Sequence, residues 1–237
     1  MSVQEAIYTL RSVLGKENVI TAKEDLICYS FDATADLPEH LPDLLVTPMT
    51  VEQVAEVIKA ANRYKMPVYP RGSGTNLSGG TVPVRGGIVL SSLKMNKILE
   101  IDPDNLTATV QPGVIIQTLN NTIAPHGLIY PPDPGSMATA TMGGSVAECS
   151  GGLRGLKYGV TRDYVMGLEV VLANGDIARF GGKTVKNVTA YDMVRLFTGS
   201  EGTLGIITEI IVRLIPAPET RETMFATFAD LTTAGRS

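Results

Sequence analysis

Four glycines crowd into Pro70-Arg71-Gly72-Ser73-Gly74-Thr75-Asn76-Leu77-Ser78-Gly79-Gly80, directly after a short apolar run. Such a loop lets consecutive backbone N–H groups converge on a phosphate, because no Cβ blocks the approach. Arg71, Ser73, Thr75 and Asn76 add side-chain donors. Two familiar phosphate loops do not fit. Gly74 and Gly79 have the Walker A spacing, but Gly80 stands where its lysine belongs. Gly72 and Gly74 begin the dinucleotide fingerprint, but Leu77 stands where its third glycine belongs. On the residues alone, a phosphate cradle and a ligand-free surface loop both remain open.

Three further segments share this character. Residues 131–159 read PPDPGSMATATMGGSVAECSGGLRGLKYG. Small residues let a flat ring system lie against backbone, and Gly143, Gly144, Gly151 and Gly152 expose N–H groups; a loop with a small-residue helix is the alternative. Residues 197–209 read FTGSEGTLGIITE, which also reads as a turn into a core strand. Gly181-Gly182-Lys183-Thr184-Val185-Lys186-Asn187 precedes Tyr191-Asp192.

Other chemistries are poorly supplied. Cys28 and Cys149 are the only cysteines, so no four-cysteine iron–sulfur cluster or zinc ribbon can be built. They offer no disulfide framework, which suits a reducing compartment and a cytoplasmic location. Cys149 reads as a small buried filler. His40 and His126 are the only histidines and read as structural or surface residues, so no metal site is expected. A net charge of −4 argues against a nucleic-acid partner. No stretch reaches the ~18 apolar residues of a membrane span, and the N-terminus reads as an amphipathic helix rather than a signal peptide.

The elements that must position these segments follow from periodicity. The chain has 237 residues, 44% hydrophobic and 19% charged, enough to fold around one large core or two joined ones. Val3, Ile7, Leu10 and Leu14 share one helical face over residues 2–14. Leu44 to Val46, a helix from Val51 opened by the capping-box pattern Thr50…Gln53, and Pro67 to Pro70 read strand–helix–strand, a parallel βαβ unit. Ile88 to Leu90 is a further strand. Ile98 to Ile101 and Leu106 to Val110 form a hairpin, as do Leu168 to Leu172 and Ile177 to Phe180 around Asn174-Gly175. Helices are expected at 114–124 and 192–197, and a long apolar strand at 204–214. The expected class is α+β: a helical segment at 1–40, then one domain over 41–218 with subdomains of about 41–92 and 93–218. The tail at 219–237 starts as a strand and is expected to open a further domain that is cut short.

Together these segments resemble the FAD-binding domain of the vanillyl-alcohol oxidase and p-cresol methylhydroxylase superfamily, in the same order and at similar spacing over about residues 40–218. The first loop is similar to its diphosphate loop, which implies cofactor contacts from Pro70 through Leu77 and from Gly80. The second is similar to its isoalloxazine and diphosphate segment. That implies Pro132, Asp133, Pro134, Ser136, Thr141, Gly143, Gly144, Ala147, Gly151, Gly152, Tyr158 and Gly159, with Glu148-Cys149-Ser150 a departure from the common Glu-Asn-Ala. The third is similar to a motif near the adenosine and ribose, implying Glu201, Gly202, Gly205, Ile206 and Ile207. GGKTVKN points toward the glycolate oxidase FAD subunit and D-lactate dehydrogenase. The resemblance implies hydride transfer from a 2-hydroxy acid to flavin N5, with electrons passing to an iron–sulfur or other acceptor subunit. It also implies that the base and the carboxylate clamp lie in a C-terminal domain, leaving this chain with FAD but without full activity and its catalytic residues unassigned. Thr75 stands where some members carry the histidine that bonds FAD, so noncovalent FAD is expected. The alternatives are an enolpyruvyl reductase-like enzyme on the same fold and a non-catalytic flavin-binding or assembly subunit.

Overall fold

A computed structural model describes residues 2–236. The chain enters through α1 (Val3–Leu14), where the Ser2 hydroxyl accepts from Glu5 N–H and the Glu5 carboxylate accepts from Ser2 N–H. That reciprocal cap satisfies two otherwise orphaned donors. The apolar face buries Ala6, Ile7, Leu10 and Leu14 against a later helix. After β1 (Val19–Ile20) and the single turn α2 (Lys23–Leu26), an irregular stretch leads to β2 (Leu44–Val46). The long helix α3 (Val51–Tyr64) starts at Thr50, whose hydroxyl accepts from Gln53 N–H. The Gln53 side chain takes the N–H of Met49 rather than that of Thr50, so the expected box closes one residue early. Lys65 ends the helix in the left-handed conformation, before β3 (Val68–Arg71) and β4 (Ile88–Ser91).

These strands form a sheet in the order β1-β2-β4-β3. β4 lies between β2 and β3 and pairs with both in parallel, so the expected βαβ unit spans an inserted strand. β1 pairs with β2 antiparallel. The segment before residue 41 is therefore not a separate helical piece. It supplies a strand to this sheet and a helix to its core, because β2 and α3 would otherwise leave apolar faces bare.

The second unit is built on β5 (Ile98–Asp102), β6 (Thr107–Val110), α4 (Ile116–Ile123), β7 (Leu128–Ile129), α5 (Met142–Glu148) and α6 (Gly155–Tyr158). It continues through β8 (Val165–Leu172), β9 (Ile177–Gly181), α7 (Met193–Phe197), β10 (Gly205–Arg213), β11 (Ile215–Pro216) and α8 (Leu231–Arg236). A five-stranded antiparallel sheet runs β5-β6-β10-β8-β9, with β7 and β11 paired separately. β10 is central and mostly buried, which explains its nearly unbroken apolar sequence.

One core lies between the five-stranded sheet and α4, α5 and α7. The other surrounds α1, α3 and the four-stranded sheet, and it takes in Val171 of β8 and Ile206 of β10. The two units thus share buried contacts, and the class is α+β, as expected. The expected strand after residue 219 does not form; residues 218–230 are loop and bends, with Met224 and Phe225 exposed. A strand needs a partner for its N–H and C=O groups, and none is beside it. Among the described residues no helix is long and apolar enough to cross a membrane.

Candidate functional site

The parallel strands β3 and β4 stop at Arg71 and Ser91, and their carboxyl ends open onto a cavity of about 470 Å³ between the two units. Ligands in sheets with parallel strands commonly sit at this end. One wall is the glycine loop, from Gly72 to Leu77 and at Gly80. The opposite wall is Pro134, Gly135, Ser136, Ala140, Thr141 and the inner face of α5. The turn before β10 closes the cavity with Glu201, Gly202, Gly205, Ile206 and Ile207.

The main-chain donors of the glycine loop are free. Among the described residues, the N–H groups of Gly72 through Ser78 and of Gly80 make no hydrogen bond within the chain, whereas Gly79 N–H donates to Thr34 Oγ1 at 2.8 Å. Buried or half-buried amides are normally paired, so a row of unpaired N–H groups at a cavity marks a place for acceptor oxygens. The loop is held from behind by residues 31–34, a segment that no sequence pattern singled out. Asp32 accepts from Asn76 Nδ2 at 2.6 Å, from Thr81 Oγ1 at 3.2 Å and from Thr34 N–H at 2.9 Å. Burial works against ionising Asp32, but hydrogen bonds from Thr34, Asn76 and Thr81 outweigh it and hold the carboxyl below its ordinary range. The shared signal was polar: Asp32 and Thr34 stand in an otherwise featureless stretch.

Arg71 is buried beneath the same loop. Its guanidinium donates to the Phe31 carbonyl at 2.7 Å and to Thr81 Oγ1 at 3.2 Å, and lies 5.5 Å from the Tyr29 ring centroid. Burial pushes its pKa down against the raising effect of Asp32. The residue lines the cavity, yet part of its donor capacity braces the loop. Gly72 packs against the facing wall so closely that a Cβ would lie 2.2 Å from Thr141 Oγ1. Gly202, at φ 74°, abuts Pro70, where a Cβ would lie 2.4 Å from the proline ring.

The second segment behaves differently from expectation. Gly143 and Gly144 line the cavity, but their N–H groups are not exposed to it. Gly143 donates to the Pro112 carbonyl at 2.7 Å and Gly144 to Thr141 Oγ1 at 3.2 Å. They give α5 a flat, close-packed wall rather than an anion grip. Six sequence candidates lie off the cavity altogether: Pro132, Asp133, Gly151, Gly152, Tyr158 and Gly159. They fold the loop that follows α5. Asp133 pairs with Arg154 Nε at 3.1 Å and accepts from Arg154 N–H at 3.0 Å. Gly152 leaves no room for a Cβ against the Asp133 backbone. The Tyr158 carbonyl accepts from Tyr164 Oη at 2.7 Å, and Gly159, at φ 82°, sits over Asp163. Pro132 is buried beside Tyr130 in the chain. Conversely Thr81, Leu90, Ser92, Pro112, Gly135, Ala140, Ser145, Glu148 and Ser150 line the cavity unforeseen. Glu148 and Ser150 flank Cys149, which is half-buried in a left-handed conformation (φ 50°) rather than filling a core.

Arg71, Glu148 and Glu201 are the titratable groups among the lining residues. Ser78 Oγ donates to Glu148 at 3.3 Å. Burial, and then the nearby Glu201 charge, push the Glu148 carboxyl above its ordinary range. Neither histidine reaches the cavity, and among the described residues no three of His, Cys, Asp and Glu cluster to hold a metal ion.

Residues 42–181 match the FAD binding domain, a stretch that holds β2 through β9, the glycine loop and α5. The chain belongs to the FAD binding domain family. It is 52% identical over 228 residues to the glycolate oxidase subunit GlcD of Bacillus subtilis (strain 168), covering 96% of this chain and 48% of that protein. It is 42% identical over 206 residues to the D-lactate dehydrogenase of Anaerostipes hadrus, covering 87% of this chain and 43% of that protein. The chain thus spans about half the length of the curated relatives it matches. Among solved structures it superposes on a substrate-bound p-cresol methylhydroxylase with a TM-score of 0.80 at 29% identity, over 92% of this chain and 44% of that one. The cavity fits the cofactor of an FAD binding domain. Unpaired amides stand on one wall for a diphosphate, and a close-packed wall of glycine and alanine faces them for a flat ring.

Proposed function

We propose that this chain is the FAD-holding part of a flavin-dependent 2-hydroxy-acid dehydrogenase, acting on a substrate such as glycolate or D-lactate. The observation that carries the cofactor half is the run of partnerless N–H groups from Gly72 to Leu77 along one wall of a two-sided cavity. The substrate half rests on the glycolate oxidase and D-lactate dehydrogenase relatives. Bound flavin supplies the hydride acceptor. The chain's residues hold its diphosphate, exclude water from the ring's inner face and fix its place between the sheets. Oxidising a 2-hydroxy acid also needs a base for the hydroxyl proton and a cation for the carboxylate. Arg71 is the one cation among the lining residues and its Nη1 braces the loop through Phe31 and Thr81, while Glu148 and Glu201 are acidic, so no second cation stands there to clamp a substrate carboxylate. The chain by itself therefore holds FAD and turns over 2-hydroxy acids slowly. Electrons leave to a separate acceptor subunit, a reading that the word subunit in the glycolate oxidase relative's name supports. The two cysteines, which offer no disulfide framework, support a cytoplasmic location, which cell fractionation tests directly.

Titration with FAD should quench flavin fluorescence to a one-to-one end point, and the loaded protein should bleach with D-lactate or glycolate far more slowly than enzymes commonly turn over (~10 s⁻¹). No quenching at all would remove the cofactor reading; fast bleaching would remove the claim of incompleteness. The link to FAD is noncovalent, because Thr75 has no nucleophile of the kind that bonds flavin. Precipitation with trichloroacetic acid should leave the yellow colour in the supernatant, and colour retained in the pellet would contradict it.

A further inference from the structure

Behind the flat wall of the cavity lies a cluster of hydroxyls. Ser145 sits on α5, and the left-handed turn at Cys149 brings Ser150 back alongside it, with Ser150 N–H donating to the Ser145 carbonyl at 2.9 Å. The two serine hydroxyls are hydrogen-bonded to each other. Thr161 is fully buried, with Oγ1 at 3.1 Å from Ser145 Oγ and 3.2 Å from Ser150 Oγ. Both serines line the cavity.

The protons can be followed one by one. The Thr161 proton is committed to the Ser150 carbonyl at 2.8 Å. One serine donates to the other, which leaves the receiving serine with a proton that can go two ways. It can turn inward to Thr161 Oγ1, or outward to an acceptor in the cavity. Turned inward, it fills one of the two lone pairs of Thr161 Oγ1; turned outward, it gives up that one bond inside the cluster. The outward turn therefore exchanges one hydrogen bond within the protein for one to the occupant of the cavity. The diphosphate is served by the amides of the opposite wall, and the Gly143 and Gly144 amides on this wall are spent. The serines stand on the close-packed wall of Gly143, Gly144 and Ala147 that suits the flat ring, so the acceptor they meet is on the ring system.

We propose that Ser145 and Ser150 are positioning residues that donate one hydrogen bond to a carbonyl or imine acceptor of the flavin ring. This rests on the FAD reading above. A donor to a ring acceptor favours the electron-rich reduced ring over the oxidised one, so the pair sets the potential of the bound flavin as well as its affinity. Thr161 supplies the alternative acceptor that lets the pair switch.

The test uses the full chain, with Ser145→Ala, Ser150→Ala, the double variant and Ser150→Thr, and compares FAD with ADP, which lacks the ring. The expected result is a tenfold or greater loss of FAD affinity in the double variant with ADP affinity unchanged. The absorption band of the bound oxidised flavin should shift and its midpoint potential should fall. Ser150→Thr, which keeps the hydroxyl, should restore most of each. A merely structural cluster would lower thermal stability and weaken FAD and ADP alike while leaving spectrum and potential in place; that outcome overturns the proposal. Should the double variant not fold, the Ser150→Ala spectrum and potential decide it, and values equal to wild type count against it. If the wild-type chain bound ADP and not FAD, the cofactor reading itself would fall, and this inference with it.

Discussion

Gly72 shows how a single missing methyl group shapes the site. It lies between the loop of one unit and Thr141 of the other, and a Cβ there would come within 2.2 Å of the threonine hydroxyl. Gly72→Val should push the glycine loop off its wall and weaken FAD binding at least tenfold, about 1.4 kcal/mol, as read by flavin fluorescence titration. Glu148 makes a prediction of the opposite kind. Its carboxyl is held above its ordinary range by burial and by Glu201. A raised carboxyl pKa means the folded protein favours the neutral form. That stability is present below the unfolded pKa and is lost as pH rises through the folded one. Glu148→Gln should therefore gain thermal stability over wild type in the ligand-free protein at pH 7, with the advantage shrinking toward pH 4. A constant difference across that range, in melting curves, would show that the charge is not felt.

At the scale of elements, the N-terminal helix matters more than its position in the chain implies. Leu10 of α1 is fully buried against α3, and β1 extends the same sheet. Leu10→Ala removes a side chain from the middle of this contact and should cost about 2–5 kcal/mol, measurable by urea denaturation. The effect should reach the site, because the chain between α1 and β2 carries Phe31, Asp32 and Thr34, which brace the glycine loop. β10 shows a second use of an element. It closes one side of the cavity with Gly205, Ile206 and Ile207 while serving as the middle of the five-stranded sheet. Its motif is therefore both cavity lining and core strand.

For the molecule as a whole, the two units are not independent. Val171 belongs to β8 of the second sheet but is buried in the core of the first, together with Ile206. Val171→Ala should lower stability by roughly 1–3 kcal/mol in one shared transition by calorimetry, with both sheets melting together. Two separated transitions, only one of them moved, would show that the seam is weak. The cavity lies along this seam, so anything that loosens the seam should also loosen FAD.

Local patterns in the sequence were enough to set out α1, α3, the 174–175 hairpin and the long β10, because each depends on periodicity, caps or turn chemistry within a few residues. They were also enough to single out the glycine loop and the turn before β10, which line one cavity. Free amides and close backbone approach demand glycine, and glycine in a run is visible. Tertiary structure alone decided which glycines line the cavity with unpaired amides. Gly143 and Gly144 spend their donors on Pro112 and Thr141, while Gly151, Gly152 and Gly159 only let a distant loop close. It also decided that β4 slips between β2 and β3, and that Asp32 holds a loop forty-four residues away. A glycine looks the same in sequence whether it frees an amide for a phosphate or clears space for a neighbouring backbone; only the atoms packed around it tell the two apart.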